Sequence, residues 1–571
     1  MPPVAERRPT LTTLSALAVT LALAPFLPAQ TSPTWDFTNL IPSSGSARVG
    51  ARLLEEREIV LSCQPEFRTR STAPPLPAHL QVGAVRQGAS PPMSMAVFGN
   101  HSFNESFSQL QQAVAPLAGG GFAVVWEEWA WPHRDLRLQV LDGQGHLLLG
   151  AEGVALADEP EDEGDAVVIA DPEGGAFAAY VRQDSSGTRV IAQRVSRAGV
   201  RLWADRGVPV ADLRDRESQV EPHLVPTSGG LFVCFSALGR SFKDTSIRCQ
   251  RLDASGQRTW VPSGIEAGGV PGLRVLPRGV PDGRGGLLVF WRNQRDVYDT
   301  EMEPMLMEGQ HFRADGKRLW QERGLLVRTT HLAEDNGHSM RFFNIVADGN
   351  GGAIIAFNDW TGTTAYVMDV MAQRVSGDGD LFWGQGAVVA ASDVHQQHEA
   401  TIADGDGGAF VAVYKGDSDS HSRLFLYHLG ADARHLWSSS GVPLSDRHAL
   451  ALDYGVFGTF DLDVLRVAWV HQLVPYTYEM DVHFARFLSN GVALDPPGGV
   501  ALTTAPDSQF INGAAFDHEF GSLLAVWDDR QSGDWHNLDT GGALLSEGLS
   551  ETVRIRARLM SGQSYRASDS P

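Results

Sequence analysis

Cysteine is scarce in this chain: Cys63, Cys234 and Cys249 are the three in 571 residues. No two are adjacent, so the paired-cysteine signature of a quinone site is missing, and no cofactor is expected. Basic residues are also short, 46 Lys and Arg against 68 Asp and Glu, for a formal net charge of −22. Such a surface argues against nucleic-acid partners, which need basic patches. Acidity of this kind serves solubility first, and it also suits calcium or cationic partners. No stretch past residue 90 sustains a 3.6-residue apolar period, so helices should be few. The chain carries no G-x-S-x-G, H-E-x-x-H, phosphate-loop or dinucleotide signature.

Long apolar runs are confined to one place. Arg7 and Arg8 precede an apolar run from Leu11 to Leu27, and Leu27-Pro28-Ala29 ends it before Gln30. Residues 1–29 read as a secretory leader, with a hint of the twin-arginine route. The run is interrupted by Pro25 and is short for a membrane span. No lipobox cysteine follows, so a lipid anchor is not expected, and the mature protein should be secreted or periplasmic. Residues 30–90 read as an N-terminal arm and linker. Within it RVGARLLEEREIVLSC (48–63) suits a short helix or strand, and RSTAPPLPAHL (70–80) an extended linker.

What the chain does have is a repeat. Aromatic anchors end an apolar strand at Trp126, Tyr180, Phe235, Trp291, Phe357, Tyr414, Trp469 and Trp527, spaced 54 to 66 residues apart. Glycine pairs precede most anchors, as in Gly285-Gly286 and Gly407-Gly408. D-G-x-G-G strings begin at Asp282, Asp348 and Asp404. They fit tight hairpin turns, which need positive φ, better than calcium loops, which need alternating oxygen ligands and a distal glutamate. Each unit reads as four short strands, A to D, as in HLVP (223–226), LFVCF (231–235), SIRCQRL (246–252) and GIEA (264–267). Four short strands per repeat are the cue of a β-propeller blade. The fold class is therefore all-β: eight blades of four antiparallel strands over 91–567, with seven blades and a stray hairpin as the alternative.

A second string recurs between strands C and D: a tight turn and then a tryptophan, as in Asp253-Ala-Ser-Gly256 with Trp260, and Asp315-Gly316 with Trp320. Weaker copies carry Trp203, Trp383 and Trp437. This resembles the seam motif of quinoprotein-like propellers, and the chain as a whole resembles secreted bacterial propeller repeat proteins. The resemblance covers most of 95–565 and concerns fold only. It implies that each indole wedges between blades and donates its N–H to a neighbour's backbone, which suits a large ring with one donor. The sialidase Asp-box is a near miss, because its glycine lies three rather than four residues before the aromatic.

The eighth copy is expected to take VRIRARLM (553–560) as strand C and to lack strand D. Met95–Gly99 aligns with GVPVA (207–211) and should supply that strand from the N-terminal end, removing an exposed edge. Cys234 and Cys249, on strands B and C of one blade, should face each other; a disulfide and two buried thiols are both open. Cys63 is left over.

In a propeller the A–B and C–D turns share one face, and the B–C and D–A loops the other. The first set is short and glycine-bound; the second is long and irregular, as in 292–309 and 528–551. Binding usually resides in such loops. Candidate ligand-binding residues there are Trp129, Trp131, Tyr298, Trp360, His395, His398 and Trp535, with Tyr476 and Tyr478 beside them. Imidazoles also gather in the D–A loops (His331, His338, His395, His398, His448), but their spacing matches no metal set, and no metal is expected. The function expected is a non-enzymatic binding or scaffold propeller, monomeric, taking a glycan or protein on the loop face. The alternative is a polysaccharide hydrolase or lyase using loop carboxylates at the channel mouth.

Overall fold

The computed structural model describes 49–54, 58–63, 80–84, 97–98 and most of 107–546, leaving out 131–132, 151, 186, 215–216, 240–244, 295–304, 330–342, 360–366, 417–422, 445–454, 462, 473–479, 504–507, 519–521 and 531–537. Contacts divide the chain into two units, one holding 1–89 and the other 90–547. In the first, Val49–Leu54 pairs antiparallel with Glu58–Cys63, which pairs parallel with Leu80–Ala84, so the arm's first segment is a hairpin rather than a helix. The leader lies outside the described residues. No helix among those described is long and apolar enough to cross a membrane.

The second unit is a ring of eight four-stranded antiparallel sheets. The A strand of each blade touches the A strands of its two neighbours, and the A strand of blade 8 (Ser508–Asp517) touches that of blade 1 (Phe107–Pro116). Seven blades with a stray hairpin is thereby excluded. Strand B is buried on both faces, which explains its unbroken apolar runs. In blade 4 (Leu287–Gln294), Leu287, Val289 and Trp291 pack toward blade 3, while Leu288 and Phe290 pack toward blade 5. The core is thus a set of clusters lying in the seams between blades.

The turns follow from local chemistry. Gly285 takes φ of 87°. A Cβ on Gly286 would collide with the Phe312 carbonyl of strand C. One glycine of the pair therefore supplies the left-handed turn and the other the close approach. Strand A is longer than the four residues expected, as in Ser218–Thr227. In several blades it carries a bulge opposite the anchor, with positive φ at Asp165, Glu221 and Leu276 (52°, 55° and 57°).

The seams are closed by tryptophan. Indole N–H groups of Trp203, Trp260, Trp320, Trp383 and Trp437 donate to the carbonyls of Ala254, Ala314, Gly377, Ala431 and Ser489 at 3.0, 3.0, 2.9, 3.0 and 2.6 Å. Each acceptor lies in the C–D turn of the next blade. Four of the rings are buried and Trp320 is half-buried. A glutamine ten residues earlier steadies the segment. In blade 3, Gln250 Oε1 accepts the Trp260 backbone N–H (3.0 Å), and its Nε2 donates to the Val261 carbonyl (2.9 Å). Gln193, Gln310 and Gln373 repeat this arrangement. Cys234 and Cys249 stand directly opposite in register and form a disulfide.

Blade 8 is built from both ends of the domain. Its outer strand is Val97–Phe98, pairing with Gly541 and Thr540. Its C strand is Leu538–Ser546 rather than 553–560, which lies outside the described residues. Two observations fit the shift: Gly541 stands opposite Trp527 in register, and Ala543, Leu544 and Leu545 fill the core. The seam to blade 1 adds hydrogen bonds from Gly121 N to Asp517 Oδ2 (2.6 Å) and from Ser522 Oγ to the Gly143 carbonyl (3.2 Å).

Two outcomes follow. Deleting residues 90–100 leaves strand C of blade 8 an unpaired edge, so the truncated protein should aggregate on gel filtration; elution and melting like the full-length chain would show that Val97–Phe98 is dispensable. Trp260→Ala should cost about 3–5 kcal/mol, as for other large buried aromatics, and an unchanged thermal midpoint would show that the ring adds nothing to the seam.

Candidate functional site

The two faces use their polar residues differently. On the turn face, Asp282 Oδ1 accepts the N–H groups of Arg284 and Gly286 (both 2.7 Å). The His311 ring sits between Asp282 Oδ2 (3.0 Å) and the Gly377 carbonyl (2.7 Å) that also takes the Trp320 indole. In blade 5, Asp348 holds Arg374 (2.9 Å), which reaches the Ala431 carbonyl shared with Trp383. In blade 2, Asp171 holds Arg194 (2.7 Å), which reaches the Ala254 carbonyl shared with Trp203. Burial opposes ionisation of Asp282 and Asp404, but bonds from His311 or His428 and from the turn N–H groups prevail and hold both below the usual range. The acids of the D-G-x-G-G strings therefore serve turn and seam.

Toward the loop face, the residue after each anchor is Glu127, Val181, Ser236, Arg292, Asn358, Lys415, Val470 or Asp528. Six of the eight are polar, on strands otherwise apolar. Glu127 accepts the N–H of Asp165, the bulge residue of blade 2, at 2.7 Å, and pairs with Arg134 at 3.4 Å. Its burial raises its pKa to about 6 against those two partners. Asp528 accepts from Gln112 Nε2 (2.7 Å), and Asn512 Nδ2 donates to Gln112 Oε1 (2.6 Å). Burial raises Asp528 to about 6, opposed by Asn512 and Gln112. Glu163, buried beside Arg182 at 2.8 Å, is raised to about 7. In blade 3, Glu221 Oε2 accepts from Ser236 Oγ (2.5 Å) and from the Leu276 N–H of blade 4 (2.8 Å). Bulge N–H groups and inward carboxylates thus satisfy one another from blade to blade.

The candidate residues divide as follows. Trp129 lies in strand B of blade 1 (Phe122–Ala130). Trp131, Tyr298, Trp360, Tyr476, Tyr478, Trp535, His331, His338 and His448 lie outside the described residues. His395 and His398 belong to strand A of blade 6 (His395–Ala403), not to the loop before it. His395 is half-buried. His398 is 3% exposed, with Nε2 2.8 Å from Thr401 Oγ1, and burial lowers its pKa to about 3. It is a neutral packing residue. Among the described residues, no three His, Cys, Asp or Glu side chains gather as a metal site requires. The glutamines and the polar ring were missed in the sequence, although both recur at a fixed offset from an aromatic.

No protein-family model matches the chain, and no curated protein matches it in sequence. Similar solved structures include a puromycin hydrolase (12% identity, 76% of this chain, 62% of that one, TM-score 0.39). They also include an ulvan lyase of family PL25 (11%, 72% and 97%, TM-score 0.38) and a Bacillus subtilis levansucrase (9%, 51% and 90%, TM-score 0.29). The chain thus spans about six-tenths of the puromycin hydrolase. At this distance none of the three bears on what the chain does.

The buried Asp528 carboxyl yields a pH test. Its folded pKa of about 6 lies above the roughly 3.9 of an unfolded aspartate. The folded state therefore binds the proton more tightly, and this contribution, full below pH ~4, is lost as pH rises to about 6. Asp528→Asn keeps the shape and an acceptor oxygen but does not titrate. The thermal midpoint of the variant relative to wild type should climb between those pH values; a constant difference would mean the carboxyl is not raised.

Proposed function

We propose that the chain is an exported, non-enzymatic binding or scaffold propeller whose glycan or protein ligand sits on the loop face. The observation carrying this reading is the division of labour between faces. Turn-face acids and their arginine or histidine partners are bound into seams, whereas the loop face combines a polar ring with long, non-repeating loops. The buried, raised carboxyls Glu127, Glu163 and Asp528 each hold a fixed partner from a neighbouring strand or blade, which suits clamps better than groups open to substrate. Export is supported by the leader-like N-terminus and by the Cys234–Cys249 disulfide, a bond that persists in oxidising compartments.

The alternative, a polysaccharide hydrolase or lyase, draws on the same three carboxyls, since raised pKa values also mark catalytic acids. One set of measurements separates the two. A panel of soluble polysaccharides is offered to the protein, with binding read by calorimetry and chain cleavage by release of new sugar ends. Binding without cleavage is expected. It should fall in a Trp129→Ala, Trp360→Ala, Trp535→Ala variant of unchanged melting temperature. Cleavage that disappears in Glu127→Gln or Asp528→Asn would establish the alternative instead. Retention of binding in the triple variant, with loss on changing the exposed turn residues Arg313 and Asp315, would reverse the faces.

A further inference from the structure

Lysine is nearly absent from this chain. Lys243, Lys317 and Lys415 are the three lysines among 46 basic residues, and the rest are arginine. Arginine stays protonated in proteins, whereas a lysine withdrawn from water loses its proton more readily and becomes a nucleophile. Lys317 is exposed in the C–D turn of blade 4, and Lys243 lies outside the described residues. Lys415 differs: it stands near the end of strand B of blade 6 (Ala409–Gly416) and is half-buried. Val411 and Val413 alternate with it on the same sheet face and pack with Trp383 and Val389 of blade 5. The Lys415 side chain therefore enters the seam between blades 5 and 6.

There its Nζ lies 5.0 Å from the ring centres of both Phe425 and Tyr427, on strand C (Arg423–Leu429). It donates to the Ser440 carbonyl at 3.3 Å, in a contact open to solvent. Arginines drawn into other seams hold a carboxylate, as Arg194 does Asp171 and Arg374 does Asp348. Lys415 has none within ion-pair distance among the described residues. Arg423, directly opposite in register and exposed, adds a second positive charge instead of a counter-charge. The two ring faces favour the ammonium form, but burial prevails and holds Lys415 below the ordinary lysine value.

A second group meets the amine. The Tyr427 hydroxyl donates to the same Ser440 carbonyl at 3.1 Å. Burial raises the Tyr427 pKa, so the phenol keeps its proton. An uncharged amine and a proton donor converging on one acceptor are what attack on an aldehyde requires. The Lys415 nitrogen bonds to the carbonyl carbon, and the electron pair of the broken C–O π bond passes to oxygen. Both protons shed by nitrogen go to that oxygen, which leaves as water, and the product is an imine. Nothing is oxidised or reduced. Tyr427 lends its proton to the oxygen and regains one from the nitrogen.

We propose that Lys415, with Tyr427 as its proton donor, forms an imine with a small aldehyde in the seam between blades 5 and 6. The site does not depend on what the loops bind. The test incubates the full chain at neutral pH with glycolaldehyde and cyanoborohydride, which reduces an imine to a stable secondary amine. Peptide mass then gives the rate of modification at each lysine, with exposed Lys317 as the internal reference. In the folded protein Lys415 should be modified about a hundredfold faster than Lys317, the lower end of what a positioned acid contributes. The two rates should converge in urea. Tyr427→Phe keeps the ring and removes the donor, so it should lose most of that advantage while Lys317 reacts as before. Lys415→Arg keeps a cation over the rings and should abolish the label in that peptide at an unchanged melting temperature. Equal rates at Lys415 and Lys317 in the folded wild type, or a preference for Lys415 that survives in urea, would overturn the proposal, and both comparisons stand even if Tyr427→Phe failed to fold. A folded Tyr427→Phe variant that reacts at the wild-type rate would overturn the pairing of the two residues.

Discussion

One backbone carbonyl in the C–D turn of each of blades 3 to 7 holds the seams of the ring together. The turn of blade 3 is closed by a hydrogen bond from Gly256 N to the Asp253 carbonyl, which leaves the Ala254 carbonyl pointing out of the turn. A carbonyl buried in a seam without a donor is expensive. Trp203 of the preceding blade supplies that donor together with a large apolar surface. Its backbone N–H is fixed on Gln193, and the underside of its ring rests on Gly256, where a Cβ would collide with it. Turn, ring and glutamine therefore form one device repeated from blade to blade. Where the tryptophan is absent the device changes: in blade 7 its position is Asp495, which holds Arg486 through both oxygens instead.

That carbonyl also connects the seams to the turn-face charges. Ala254, Gly377 and Ala431 each accept a second contact, from Arg194, His311 and Arg374, and these side chains rest on the acids of the A–B turns. Because the acids serve the seam, a large share of the chain's negative charge on this face is structural. On the loop face the blade-to-blade ties, such as Glu127 to the Asp165 N–H and Asp528 to Gln112, sit on the strands, so the long connections beyond them are free to vary in length and composition, and that asymmetry is what points function toward them.

How much of this was legible depended on how each residue acts. Trp260 and Gly285-Gly286 could be read directly, because a bulky donor after a turn and an adjacent glycine pair have few other uses. The Cys234–Cys249 pairing was half legible: spacing placed the thiols opposite, but only register brings them to bond. Gln250 was not legible, because a glutamine in a strand carries no periodic signal until its partner ten residues on is known. Asp528 and Glu127 were hidden for another reason. A single acid at the end of an apolar strand looks like the strand's exit to solvent, whereas a bulge in the neighbouring blade's inner strand covers it. The C strand of blade 8 was misplaced because Gly541-Gly542 resembles a loop, and only register shows the pair to stand opposite Trp527 and Val526 within a strand.

Closure follows from the same physics. The N-terminal strand contributes two paired residues to blade 8, too few to hold a ring by backbone pairing alone. One apolar cluster, however, runs without a break through blades 7, 8 and 1, from Val482 through Trp527 to Trp126. Side chains then tie blade 8 to blade 1 on both sides of that cluster: Asp517 to the Gly121 N–H near the turns, and Asn512 and Asp528 through Gln112 near the loops. The strand Val97–Phe98 protects an edge, while packing and these buried polar bonds supply the cohesion. A ring closed in this way places a carboxyl raised by burial, Asp528, at the joint between the two ends of the domain, so the protonation of that one group bears on closure of the whole ring.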